Sequence, residues 1–177
     1  KHLSPCGIAA SSSLEEAFCN ALASDPVSAF GGVLAANCTF DQETANALGD
    51  LFVECICAPG FTEEALNVLA ARKNLRLLSM PDSPISPDFE LRSVTQGILQ
   101  QTLDLGDPEG ANWRIVTRRQ PTEAEWLGLR FAWRACQPVK SNAIVLAAGE
   151  ATVGIGSGQP NRVDAVRIAV QRAGPRA

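Results

Sequence analysis

The sequence predicts an α/β layered domain, and three observations predict it. Strand-like apolar runs alternate with segments of helical apolar spacing. With 177 residues, of which 46% are apolar and 19% charged, the chain is long and apolar enough for one domain with a core. No internal repeat, low-complexity tract or domain break interrupts that alternation.

In chain order, Ser13 to Ala23 carries helical spacing at Leu14, Ala17, Phe18, Ala21 and Leu22. Gly31–Ala36 reads as a short buried strand. Asp41 caps a helix to about Leu51, and Phe52–Ala58 is a strand ended by Pro59-Gly60. Thr62 caps a helix through about Lys73, with Glu63 and Glu64 favouring its positive end. Asn74–Ser79 is a further strand, and Pro81–Pro87, with its prolines, is a loop. Two or three shorter strands follow, including Trp113–Thr117. Thr122 and Glu125 form a capping box for a helix whose face is Trp126, Leu129, Trp133 and Cys136. Asn142–Ala147 and Ala151–Ile155 pair around a Gly149 turn, and Val163–Ala173 closes with a helix.

The net charge of −4 disfavours nucleic-acid binding, which wants a basic face. No apolar run reaches membrane-spanning length and no signal peptide is visible. The six cysteines form no CxxC pair, and Cys55 and Cys57 share one face of a strand as small hydrophobes; reduced thiols are the expectation. The start at Lys1 and the stop after Arg172-Ala-Gly-Pro-Arg-Ala177 make both ends read as cut.

Four motifs and one odd residue could carry chemistry. Lys1-His2-Leu-Ser-Pro-Cys-Gly7 holds the only histidine, beside a cation that favours its basic form and could stabilise an oxyanion. Pro5 and Gly7 supply the bend that lets both side chains serve one pocket; surface decoration is the alternative. Asp25–Gly32 has two glycines after an aromatic, suited to close ligand approach or to a turn into a strand. In Pro138–Val145, Asn142 offers both a donor and an acceptor, against a simple helix stop. Gly154-Ile-Gly-Ser-Gly-Gln-Pro-Asn-Arg162 enters a helix, where exposed amides, the helix dipole and the Arg162 fork would suit an anion; a structural turn is the other reading. Glu54, inside an apolar strand run, must be paired, face a wet site or point outward from an edge.

The order of these blocks carries a resemblance. Lys1-His2-x-x-Pro5-Cys6-Gly7, Asp25–Gly32, Val53–Gly60, Lys73–Leu78, Arg119–Thr122, Phe131–Trp133, Val139–Val145 and Gly154–Asp164 follow one another over essentially the whole chain. Together they are similar to the bifunctional AICAR formyltransferase / IMP cyclohydrolase family. The resemblance implies a layered α/β/α fold like that of cytidine deaminase, incomplete here, with residues 1–177 part of the formyltransferase domain. That domain would be truncated at both ends, and the cyclohydrolase domain would lie before Lys1.

The implied reaction moves a formyl group from the co-substrate 10-formyltetrahydrofolate to the 5-amino group of AICAR, in a parent protein that also has IMP cyclohydrolase activity. The resemblance makes His2 the base and Lys1 the transition-state stabiliser. It puts nucleotide contacts on Gly31, Glu54 and Asn142 and a folate contact on Arg162. It implies AICAR and folate as small-molecule partners, a cytosolic homodimer of the full-length protein, and no nucleic acid or membrane.

Zinc chemistry is disfavoured, since Pro5-Cys6 has no second cysteine at deaminase spacing. Pro160 and Gln137-Pro138 depart from the family pattern. The family's Arg-Tyr-Gly-Glu-Asn and Ser-Asp-Ala-Phe-Phe-Pro-Phe blocks are missing, so the isolated piece is expected to lack turnover. The competing readings are a non-catalytic nucleotide- or phosphate-binding module built on Gly154–Gly158 and a zinc deaminase.

Overall fold

The computed structural model describes residues 2–81, 87–108 and 110–174. In chain order they form α1 (Leu14–Ser24), α2 (Pro26–Ala29), β1 (Gly32–Ala35), α3 (Gln42–Ala47), β2 (Val53–Ala58), α4 (Glu63–Leu69) and β3 (Arg76–Ser79). They continue with β4 (Phe89–Val94), β5 (Gly97–Thr102), α5 (Glu123–Cys136), β6 (Ile144–Ala148), β7 (Ala151–Gly156) and α6 (Arg162–Ala173). The fold is α/β, as the alternation predicts. The described residues of 1–81 and 121–177 form one compact unit and those of 82–120 a second.

In the larger unit, β1, β2 and β3 make a parallel sheet in the order β1-β2-β3. Parallel neighbours need crossover connections, and α3 and α4 supply them. The core lies against β2: Val53, Ile56 and Ala58 pack with Phe18 of α1, Ala45 of α3, Ala65 and Leu69 of α4, and the flanking Phe40 and Leu48. The inner face of α1 is the predicted one, with Phe18 buried and Leu14 and Leu22 packed against this core.

Caps fix where the helices begin. The side chains of Ser13, Asp41 and Thr62 accept hydrogen bonds from the amides of Glu16, Thr44 and Ala65, at 3.1, 2.9 and 3.1 Å. The Thr122–Glu125 capping box is complete in both directions. Helix ends were harder to read: α3 stops at Ala47 rather than near Leu51, because Gly49 takes φ +48 and its N–H folds back to Asn46 O at 3.0 Å. Similarly α4 stops at Leu69 rather than Lys73, where Arg72 leaves the helix and its Nη1 donates to Leu51 O at 2.8 Å.

β6 and β7 form an antiparallel hairpin around Gly149. α6 lies on it through Ala165, Ala169 and Ala173, a stripe of fully buried small residues. Opposite them stand Gly154 and Gly156 of β7, where an added Cβ would overlap the carbonyl oxygens of Ala169 and Ala165. The Gly-rich block is therefore not a loop over that stretch. Its first two glycines are strand residues that let a helix approach, and only Gly158, at φ +65, lies in the connection to α6.

α5 corrects a second expectation. Its packed face runs through Gly128, which lies against Gly149, and the buried Ala135; Leu129 and Trp133 are 50% and 56% exposed. Small residues take the side nearest the hairpin turn and Leu129 and Trp133 turn outward, while Trp126 and Cys136 of the predicted face are half-buried.

The second unit holds the antiparallel pair β4–β5, with Phe89 opposite Thr102 and Val94 opposite Gly97. Glu90 accepts from Arg92 along its own strand and from Gln101 across the pair. Trp113–Thr117 is not a strand: its β-prone composition finds no ladder among the described residues, and the strands of this region are β4 and β5. Most of the predicted Pro81–Pro87 loop lies outside the described residues.

Close helix–strand approach predicts different costs for two glycines. Gly156→Ala should destabilise the protein by about 1–3 kcal/mol by overpacking. Gly60→Ala, with nothing within 4 Å of the added Cβ, should stay within about 0.5 kcal/mol. Thermal unfolding of the two variants measures this, and equal midpoints would contradict the packing.

Candidate active site

The N-terminal segment is held by a buried hydroxyl at the other end of the chain. Thr152 on β7 is 1% exposed; its Oγ1 accepts from Ile8 N–H at 2.9 Å and donates to Ile8 O at 3.1 Å. Thr152 N–H donates to the same carbonyl at 2.8 Å, and Ala10 N–H donates to Glu150 O at 2.7 Å. Ala9 thus bridges Ala151 in antiparallel sense, and the segment lies along β7 like a short extra strand. Gly7 is fitted against the end of α1, where a Cβ would overlap Ala21 O and come within 3.2 Å of Ser24 Cβ.

This anchoring sets the turn at residues 2–6 over a cleft of about 790 Å³. His2, Cys6, Ser28, Ser157 and Arg172 supply polar groups to its wall, and the edge strand β1 and the inner face of α1 supply apolar ones. His2 is exposed and, like Leu3, has a positive φ, at +60 and +56. Paired left-handed non-glycine residues are costly and are retained where the surroundings determine them. Lys1 lies outside the described residues.

Gly31 lies just before β1 and Glu54 near the start of the neighbouring β2. Gly31 needs its lack of a Cβ, since φ is +65, and its N–H donates to Phe52 O at 2.8 Å. Glu54 sits on the central strand, not on an edge, and its Oε2 pairs with Arg76 Nη1 at 3.0 Å with its side chain 46% exposed. Exposed pairs of this kind add little stability.

Asn142 is brought to the loop that ends at Arg162: its Nδ2 donates to Gln159 O at 3.0 Å, while Gly158 N–H donates to Lys140 O at 3.2 Å. Arg162 is exposed in the first turn of α6. That helix end is already capped, with Asn161 Oδ1 accepting from Asp164 N–H at 2.9 Å and the Asp164 carboxylate beside it. A capped end with an acidic first turn, fed by strand glycines, removes the anion-loop geometry that a phosphate module on Gly154–Gly158 requires.

The predicted residues thus fall into three local groups. His2 lines the cleft itself; Gly32 and Ser157, also on the wall, adjoin the Gly31 group and the Asn142 loop respectively. Glu54, Asn142 and Arg162 are not on that wall. Among the described residues, no group of three or more His, Cys, Asp and Glu side chains is placed to hold a metal ion.

Sequence reasoning missed Thr152 and the pair Asp25–Arg172. Asp25 Oδ1 accepts from Ser28 N–H at 2.9 Å, its Oδ2 accepts from Ser28 Oγ at 2.7 Å, and Arg172 Nε stands 3.1 Å from the same Oδ2. The Asp25-Pro-Val-Ser28 spacing of an N-cap was the available signal for one half of that pair. Cys6 lies within its influence. Burial first, and then the Asp25 charge, push the Cys6 thiol above the ordinary value, while Arg172 pulls it back. All six cysteines are free.

Comparison with known proteins places these motifs in a wider setting. A sequence profile described as "AICARFT/IMPCHase bienzyme" matches residues 1–172. The chain is similar to the "Bifunctional purine biosynthesis protein PurH" of Halalkalibacterium halodurans, 49% identical over 178 residues that take in 100% of this chain and 35% of that protein. The PurH protein of Bacillus subtilis is 46% identical over 178 residues, with 100% and 35% covered. That of Chelativorans sp. is 49% identical over 175 residues, with 98% and 33% covered. The chain spans about a third of the length of the curated relatives it matches.

The raised Cys6 pKa predicts that less of this thiol is thiolate at any given pH. Alkylation followed by peptide mass spectrometry should label the exposed Cys19 and Cys38 well before Cys6, and Asp25→Asn should bring the labelling of Cys6 to lower pH. Cys6 labelling as fast as Cys38 at neutral pH would contradict the burial.

Proposed function

The chain belongs to the AICARFT/IMPCHase bienzyme family, and from that premise we propose that residues 1–177 are part of its formyltransferase domain. The reaction we assign transfers the formyl group of 10-formyltetrahydrofolate to the 5-amino group of AICAR, in the formation of IMP. The observation that carries this reading is the match over residues 1–172. The cyclohydrolase activity is assigned to the remaining length of the longer protein.

The chemistry asks for a base. The 5-amino lone pair is delocalised into the imidazole ring of AICAR, so the amine attacks the formyl carbon only as its proton is removed. His2, the single histidine, on the wall of the cleft, takes that role. As the tetrahedral intermediate collapses, the bond from the formyl carbon to the folate nitrogen breaks, and the proton held by His2 goes to that leaving nitrogen. Lys1 is assigned to the developing oxyanion. Gly31, Glu54 and Asn142 are assigned to the nucleotide and Arg162 to the folate.

Glu54 held by Arg76 and Asn142 held by Gln159 O support these assignments, since each presents an oriented polar group. Neither lies on the cleft wall with His2, so turnover is assigned to the longer, homodimeric protein and the 177-residue chain alone is proposed to be inactive. None of the helices in the described residues is long and apolar enough to cross a membrane, and a cytosolic location is proposed.

His2→Ala in the full-length protein should lower formyl transfer by about 10²–10⁴-fold while leaving cyclohydrolase turnover intact. A steady-state assay of both activities checks this. Unchanged formyl transfer in that variant would remove the proposed base.

A further inference from the structure

A carboxylate as enclosed as that of Asp25, with its side chain 10% exposed, is tolerated only when its oxygens are matched. Here Ser28 matches both oxygens, and Arg172, from another part of the site, adds a second partner to Oδ2. Ser28, on the cleft wall, satisfies both oxygens from within the α2 turn, and that turn delivers Gly31. Arg172, on the same wall, approaches Oδ2 from the last turn of α6 and sends its Nη1 to Ile155 O of β7 at 2.8 Å. Immediately before Asp25, the end of α1 supports Gly7 and hence the turn that carries His2 and Cys6. The carboxylate is therefore the junction of three pieces: the His2 turn, the Gly31 turn and the β7–α6 unit. The two partners are unequally enclosed, with the Arg172 side chain 36% exposed against 10% for Asp25, so the guanidinium keeps a face on the cleft.

We propose that Asp25 and Arg172 are positioning residues for formyl transfer, fixing the turn that bears His2 relative to the turn that bears Gly31. The inference rests on the formyltransferase reading above. Both residues act through others: Asp25 through the α2 cap and the end of α1, Arg172 through its bond to Ile155 O and its charge opposite Asp25. Small displacements of a positioned base are expensive in rate, so loosening this junction lowers turnover without removing any group that touches substrate.

The test uses the full-length bienzyme with Arg172→Met, Arg172→Lys and the double variant Asp25→Asn/Arg172→Met. Kinetic constants for both substrates are measured and normalised to the folded fraction read from thermal unfolding. Arg172→Met strands a buried carboxylate and should lower both the melting temperature and turnover. In the double variant the carboxamide that replaces the Asp25 carboxylate keeps the helix cap and removes the stranded charge, so the melting temperature should recover. Its kcat should nevertheless remain about tenfold or more below wild type, with the KM for AICAR raised, because the fork to Ile155 is gone. Arg172→Lys, which keeps the charge, should retain more activity than Arg172→Met. A double variant with wild-type kcat and KM, beside an active wild type, would overturn the inference and leave the pair as a staple only. A wild-type protein without formyl transfer would overturn the functional reading and this inference with it.

Discussion

One side chain, Thr152, fastens the two ends of this chain together. A hydroxyl buried in β7 both accepts from and donates to Ile8, residues separated by 144 positions. Net, such hydrogen bonds contribute about 1 kcal/mol each, but a buried amide left without its partner costs about 1–3 kcal/mol. Among the described residues, the segment before α1 has no helix or strand of its own, so its position is inherited from this contact and the flanking backbone bonds. The turn with His2, the cleft wall and the approach of Cys6 to Asp25 follow from it.

Small residues make that arrangement possible. β7 can carry α6 on one side only because Gly154 and Gly156 meet Ala165, Ala169 and Ala173. The close approach brings Arg172 within reach of Asp25 and of Ile155 O. A methyl group on the strand would push the helix out and separate the charges. Packing and electrostatics are thus coupled at one place: the glycines set the distance at which the ion pair can form.

Local signals were legible in the sequence and long-range ones were not. Asp41, Thr62 and the Thr122–Glu125 box announced helix starts because a cap acts within three residues of itself. The three parallel strands were readable as apolar runs between those helices, and β6–β7 as a pair around a glycine turn. Leu129 and Trp133 misled because periodicity finds an apolar face but not which face its neighbour takes; Gly128 and Ala135 took it. Gly154 and Gly156 misled for a related reason: a glycine needed for close packing and one needed for a ligand look alike until the facing helix is seen. For Glu54 the sequence leaves a partner, a wet site and an outward edge position open, and the pair with Arg76 emerges only with the register of β2 and β3. Thr152 and the Asp25–Arg172 pairing gave little local sign, since Thr152 meets Ile8 and Arg172 meets Asp25 across most of the chain; only the Asp25–Ser28 cap is local.

Amide hydrogen exchange at Ile8 tests the central contact most directly. In the native protein the Ile8 N–H should be protected, and Thr152→Val, which keeps shape and removes only the hydroxyl, should speed its exchange by about ten- to a hundredfold. The amide of Ala70, bonded to Leu66 O at 2.9 Å at the end of α4, should be unaffected. Equal Ile8 exchange in the two proteins would mean that the N-terminal segment is held by something other than Thr152.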